Sequence, residues 1–590
     1  MLNQLWNTQL GGFHGRAAAK EWQEGRRVSL AGFAPWQVPL DPTWREDPYA
    51  NASWRLYYHS LGWLLAADAS GQATDHQQIA TYLLDWIDEN DPGSWDTCSP
   101  WDDLAVSLRT DNMVLLLSGA LRDSLAGEQL ASVIQEVGFH GQLLASYLDD
   151  ALWRGHNHRM FHALSLYNLA TAFPELAGAQ QWKARALESI QSLPSEMVDP
   201  LEGVSLEQAP SYHYLAIDLF VRADDYLSKW GAGLDDDTSG LLARMLDFAA
   251  VITRPDGSVP AIGDTPYRGT APLTYLQEAL DIGINSEMAR FLLTHGRTGM
   301  APPEASFYPR SGYAVFRSSR TGSIDDLLHV VFDAGPSRRI HGHDDALNVV
   351  VAIGGREVIV DSGGPYAYGN PGRFDFVIGP AHNLLLIPGE TYRPGDATFG
   401  RMLDDDAFSM AEGWHTKYSS YRVRRAVVVL KALGSVLVID QAELLQSAGT
   451  TPIENSFELT YHLPPGSVVP TSEENLVRAA YAEGAISVVG SARLTTSVAD
   501  GQTSPSLRGW VTPSYAEKVA APALTISSAG TSAWFVTLIE PLAVGDQPTQ
   551  SLLVSRETNG DFRITILQFD AAWHFLLPVT GEPTLAHGGD

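Results

Sequence analysis

Large apolar residues recur every three or four positions through the first half of the chain, over residues 54–65, 79–87, 104–121, 130–148, 161–173, 214–230 and 241–252. That spacing predicts amphipathic helices of ordinary length joined by short loops. About ten such helices between residues 50 and 297, with no strands among them, fit helical hairpins wound in a ring whose mouth forms a cleft. After Pro302-Pro303 the pattern changes to short runs of Val, Ile, Tyr, Phe and Thr punctuated by Gly, Pro, Asn and Asp. Runs at 328–332, 346–353, 358–361, 423–430, 436–440, 457–462, 534–538 and 562–568 predict antiparallel strands, packed as a sandwich. The expected fold class is α+β multidomain. A helical domain over residues 1–300 precedes an antiparallel β domain over 301–590, with room for a small terminal subdomain. No internal repeat or low-complexity tract interrupts it.

One stretch concentrates chemistry. From Arg339 to Gly364 the chain reads RIHGHDDALNVVVAIGGREVIVDSGG, and Ala381-His382-Asn383 follows. The apolar run turns at Gly354-Gly355, so a hairpin carries His341 and His343 at one end of the pair and Asp361 at the other, gathered on one sheet edge. Imidazoles exchange protons or bind metals near neutral pH, and His341, His343, Asp361 and His382 suit either task. Hairpin pairing sets Asp361 closer to Asn348 than to His343, and a hydrogen-bonded cluster that stiffens the edge is the alternative to a metal site.

Two further stretches lie in the helical half. Arg154-Gly-His-Asn-His-Arg precedes a helix starting near Phe161, and Glu207-Gln-Ala-Pro-Ser-Tyr precedes the helix predicted over 214–230. Both Asn157 and Tyr212 then stand at helix N-termini, where backbone N–H groups and the helix dipole favour an anion. Helix initiation by Asn157 and Pro210-Ser211, with Tyr212 as a packing residue, explains the same residues without chemistry.

Charge narrows the partners. With 69 acidic against 39 basic residues the net charge is -30, which disfavours a nucleic-acid backbone or an anionic membrane. A polyanionic substrate needs a local basic pocket, for which Arg338, Arg339, Arg373 and Arg393 are available. The single cysteine, Cys98, excludes an internal disulfide and is expected to be a small buried residue. No secretory signal pattern or 18-residue apolar run is visible, so the chain as written reads as soluble and cytoplasmic, and as periplasmic or secreted if a signal has been trimmed.

The ordered set Asn157-His158, Tyr212, Asp256-Gly257, Gly263-Asp264, His341-Gly-His343-Asp-Asp-Ala, Asp361-Ser-Gly and Ala381-His-Asn resembles the heparinase II/III family of polysaccharide lyases. The resemblance runs from the Trp54 helix through Arg424-Arg425 and Asp440. It implies an N-terminal incomplete (α/α) toroid, a C-terminal antiparallel β-sandwich, and β-elimination of uronic-acid polysaccharides of the glycosaminoglycan kind, giving 4,5-unsaturated ends. It implies Asn157 as neutraliser of the uronate carboxylate with His158 as auxiliary, and Tyr212 with His341 as base and acid. Arg159, Gln208, Arg339 and Arg373 are the expected substrate-binding side chains. His343, Asp361 and His382 match the family's metal positions, usually zinc. A hydrolase on the same ring, using Asp256 or Asp264, and a non-catalytic binder of uronate polymers, favoured by 16 Trp, are the competing readings.

Overall fold

The computed structural model describes residues 16–588 except 31–32, 70–72, 93–99, 120, 229–230, 232, 337–339, 365, 367–369, 446–453, 516 and 544. Cys98, Arg338 and Arg339 therefore lie outside the described residues. Contacts divide the chain into two compact units. One holds the chain up to Val198 together with Asp218–Ser239; the other holds Asp199–Ile217 and most of the chain from Gly240 onward.

The helical spacing is realised in Ala73–Glu89, Asp103–Leu117, Gly127–Tyr147, Asn157–Ala172, Pro210–Ser228 and Asp236–Ile252. The segment read as one helix from Trp54 is broken into Ala52–His59 and Leu64–Asp68. Leu61, at φ 58, supplies the break. Ala179–Met197 also forms a continuous helix, with Pro194 inside it and a buried stripe that includes the small residues Ala179, Ala186 and Ser189. Among the described residues no helix is long and apolar enough to cross a membrane.

Helices end at Leu293 and strands take over from Ala305. Within the second unit a five-stranded antiparallel sheet runs in chain order through Ala305–Tyr308, Tyr313–Ser318, Leu328–Asp333, Val349–Ile353 and Arg356–Ile359. The last two form the hairpin expected around Gly354-Gly355. An eight-stranded sheet includes Phe408–His415, Tyr421–Leu430, Ser435–Leu444 and Ala533–Pro541. Its central strands Tyr421–Leu430 and Ser435–Leu444 carry continuous apolar runs, 426–430 and 436–439, because both faces are covered there. Val427 and Val429 enter a core shared with Phe316, Val330 and Phe457, while Val428 and Leu430 enter a second core with Leu552, Ile564 and Phe575. That second core is closed by a C-terminal four-stranded sheet, Gln550–Arg556 to Thr584–Gly588. The opposite face of the five-stranded sheet, with Tyr313, Val315 and Val331, packs on Phe248, Val251 and Ile252.

One buried cation fixes the loops that carry chemistry. Arg425 stands in a strand facing the first core, and its guanidinium meets Asp440 at 2.7 and 3.1 Å across the strand pair. Its other N–H groups donate to the carbonyls of Leu347 and Asn383. A paired and fully hydrogen-bonded Arg is the form in which such a charge survives burial.

Candidate active site

The helix Pro210–Ser228 begins at its proline, so Tyr212 lies in the first turn. The Ser211 amide donates to the Thr265 hydroxyl at 3.1 Å, and the Ser211 hydroxyl donates to the Asp264 carbonyl at 3.2 Å. The Asp264 amide in turn donates to the His341 carbonyl at 2.9 Å. Gly263 sits at φ +56, and a Cβ there would approach the His341 carbonyl oxygen to 2.5 Å. Only glycine permits this close passage. The helix start, the 263–265 loop and the histidine segment are thus stitched together by backbone.

Tyr212 and His341 stack at 3.4 Å between ring centroids, with planes 12° apart. The His341 Nδ1 lies 2.9 Å from Asp264 Oδ2, and the His343 Nε2 lies 3.1 Å from Asp264 Oδ1. Arg373 donates to both oxygens at 2.8 and 2.9 Å. Burial would push the Asp264 carboxyl up, but the two imidazole bonds and the Arg373 charge outweigh it and hold the group well below the usual carboxylate range. An ionised carboxylate only accepts, so His341 carries its proton on Nδ1 and His343 on Nε2. Both histidines reach this one carboxylate from the segment that precedes the strand Val349–Ile353. Gln208, at φ 51, donates to the Pro336 carbonyl and stands in the same unit.

Asp361 meets Asn348, as expected of the hairpin, and also His382 from the segment that follows it. Asn348 Nδ2 donates to Asp361 Oδ2 at 2.7 Å, His382 Nδ1 donates to the same oxygen at 2.9 Å, and the Gly363 amide takes Oδ1 at 2.9 Å. Burial opposes protonation of His382, but the Asp361 charge and hydrogen bond raise its pKa to about 9. The His343 and His382 rings lie 5.3 Å apart. His343 Nδ1 and His382 Nε2 are buried without a hydrogen-bond partner; His343 Nδ1 offers a lone pair, and a metal would take His382 Nε2 only by displacing the proton it holds while charged. Among the described residues, however, no three His, Cys, Asp or Glu side chains already stand as a metal-holding group, and both Asp361 oxygens are engaged. Asn383, fully buried, closes this edge by donating to Asn348 Oδ1, Val349 O and Val360 O.

The other unit gathers the remaining residues. The helix Asn157–Ala172 starts at Asn157 rather than near Phe161, because His156 caps it by accepting from the His158 amide at 3.0 Å. His158 Nδ1 and His162 Nε2 both meet Asp103 Oδ2, at 2.9 and 2.7 Å, and the His158 ring stacks on Trp153. Burial pushes the Asp103 carboxyl up, and the two histidine bonds more than reverse it, so it remains charged. Arg159 turns instead to Ser189 Oγ at 3.2 Å and Glu196 at 3.5 Å. Asp103 is a site residue that sequence reading missed. It follows the helix-capping Asp102, and an acid at a helix start carries no mark of a histidine partner.

A helical N-terminal region is followed by antiparallel sheets, and the second unit bears a stacked Tyr–His pair held by one carboxylate. Residues 28–288 match the model described as heparinase II/III N-terminus, and residues 300–537 match heparinase II/III-like, C-terminal. The chain belongs to the heparinase II/III family. A curated relative, heparin-sulfate lyase of Pedobacter heparinus, is 24% identical over 350 residues, 56% of this chain and 51% of the relative. The chain thus spans about half the length of the curated relative it matches. Among solved structures, heparinase III superposes with a TM-score of 0.80 at 18% identity, covering 99% of this chain and 92% of that one. Heparan sulfate lyase HepC from Pedobacter heparinus gives 0.65 at 17%, over 96% and 89%. Chondroitin AC lyase of Streptomyces coelicolor A3 gives 0.55 at 12%, over 98% and 90%. These likenesses establish the fold: an incomplete (α/α) toroid followed by an antiparallel β-sandwich.

Proposed function

We propose that this protein is a polysaccharide lyase that cleaves an acidic, uronic-acid-containing polysaccharide of the glycosaminoglycan class by β-elimination. The observation that carries the reading is the Tyr212–His341 stack with His341 fixed by Asp264, in a family whose relatives are named as heparin-sulfate and heparan sulfate lyases. Elimination takes the C5 proton of a uronate, moves its electron pair into a C4=C5 double bond, and expels O4 with a proton. The C5 proton is too weakly acidic unless the neighbouring carboxylate is neutralised as charge develops. Asn157, with His158 oriented by Asp103, is the proposed neutraliser. Tyr212 takes the C5 proton, and His341, whose Nδ1 is committed to Asp264, exchanges a proton through Nε2. Arg373, Gln208, Arg159 and Arg339 are proposed to hold the polymer. Arg159 does so only by leaving its Ser189 and Glu196 partners.

A hydrolase using Asp256 or Asp264 is disfavoured by what those carboxylates do. Asp264 is locked in its charged form among three donors, so it is a poor proton donor. Asp256 accepts from the Ser258 amide and hydroxyl, as a turn residue does. Incubation with unsulfated and sulfated glycosaminoglycans in labelled water tests the choice. Products should gain ultraviolet absorbance from the conjugated double bond and take up no solvent oxygen. Oxygen incorporated at the cut would reject elimination.

Zinc is proposed at His343, His382 and Asp361, supported by the two partnerless imidazole nitrogens. Asp361 serves either as the third ligand, exchanging a present partner, or by orienting His382. When bound, the ion supplies a fixed positive charge and links the 361–382 segment to the hairpin end. Elemental analysis of the purified protein should find zinc, His343→Ala should lose it and melt earlier, and His341→Ala should keep it. A parent without metal, or equal loss in both variants, would overturn the assignment.

A further inference from the structure

The four-stranded sheet Thr495–Ala499, Ala523–Gly530, Asn455–His462 and Leu385–Leu386 buries one face in the first core through Leu459, Tyr461, Leu524 and Ile526. The alternate positions face a groove of about 640 Å³. Its floor is a patch of short hydroxyls. Thr460 pairs across the strands with Thr525, which pairs on its other side with Ser497, and Ser527 lies in the next row opposite Glu458. Short side chains on a sheet face leave room that longer residues would fill, and the volume is that of a small-molecule site. None of the groove's lining residues is Tyr212, His341, Asp264 or Arg373.

The walls set the chemistry. Tyr392, partly exposed, stands over Tyr418 with centroids 5.4 Å apart, and its hydroxyl donates to Asp344. Lys417 lies 3.3 Å from Asp344 and offsets that charge. Arg508, which donates to the Pro380 carbonyl at 3.0 Å, faces the charge of Glu458, while Glu390 accepts from the Ser419 hydroxyl and the Ser420 amide. Glu458 makes no side-chain hydrogen bond among the described residues, so it is an acceptor at the groove floor. Serine and threonine both donate and accept, a carboxylate accepts from hydroxyls, and an aromatic ring covers the apolar face of a sugar. The surplus of carboxylates repels a uronate or a sulfate.

We infer that this groove is a second saccharide site, distinct from the Tyr212–His341 cluster, that takes the neutral sugar units of an oligosaccharide and rejects its charged ones. The inference rests on the polysaccharide reading for the kind of ligand, and its test reads binding alone. The probe is an unsulfated glycosaminoglycan hexasaccharide whose uronates have been reduced to neutral hexoses, titrated calorimetrically into the full chain. The reduced probe should bind, and Thr525→Trp should weaken it by about tenfold or more. Ser497→Tyr, at an exposed position of an edge strand, provides the same obstruction should Thr525→Trp fold poorly. No binding of the reduced probe, or binding untouched by both obstructing variants, would overturn the inference. So would tight binding of spermine with none of the sugar. Ultraviolet-absorbing products appear or fail to appear independently, so loss of the lyase reading and loss of this site are separable.

Discussion

Tyr212→Phe is expected to fold and melt as the parent does, while turnover on a uronate polysaccharide falls by about a hundredfold or more, the usual loss when a general acid or base is removed. The variant removes one oxygen. Its ring still stacks on His341, and the helix start is held by Ser211, Thr265 and Asp264. Substrate affinity should change little, because the hydroxyl is asked to act on the reacting proton rather than to anchor the chain. Activity within about threefold of the parent would reduce Tyr212 to a packing residue and remove the proposed base.

How far the sequence reveals this site depends on which residues are read by local rules and which by long-range pairing. The Gly354-Gly355 turn fixed the hairpin, and the Asn348–Asp361 contact forms although a bulge between Val351 and Ala352 shifts the register by one residue beyond what the two-residue turn sets. Pro210 marked the helix carrying Tyr212 for an equally local reason. Local rules failed where the buried stripe of a helix is filled partly by small residues, as by Ala179, Ala186 and Ser189 in Ala179–Met197, and where a left-handed residue such as Leu61 breaks a continuous stripe. They also gave no sign that Asp264 would bind His341, His343 and Arg373, because those partners lie 77 to 109 residues away. Asp103 is the same case in the other unit, meeting His158 and His162 at separations of 55 and 59. The residue types that do chemistry were visible, whereas the carboxylates that orient them became visible only with the fold.

Asp264→Asn should therefore be the most damaging conservative change in the second unit. The amide keeps the size of the carboxylate but loses its charge, and one of its two polar atoms becomes a donor facing groups that are themselves donors. Arg373 then loses its buried counter-charge, and at least one of His341 and His343 loses an acceptor. Breaking a buried ion pair from one side costs about 3–5 kcal/mol, so the melting temperature should fall by several degrees even with the fold intact. Turnover should fall by at least as much as in Tyr212→Phe, because His341 is no longer held with its proton on Nδ1 and its ring is no longer fixed against Tyr212. The two effects separate through Arg373→Met, which removes the same ion pair from the other side. It should destabilise the protein while leaving the two imidazole bonds to Asp264 in place, and, because Arg373 is also proposed to hold the polymer, its loss should fall on KM, so at saturating polysaccharide and well below the melting temperatures it should lose less kcat than Asp264→Asn. Equal turnover in the two variants would show that Asp264 acts only by holding the fold, and that His341 needs no orienting carboxylate.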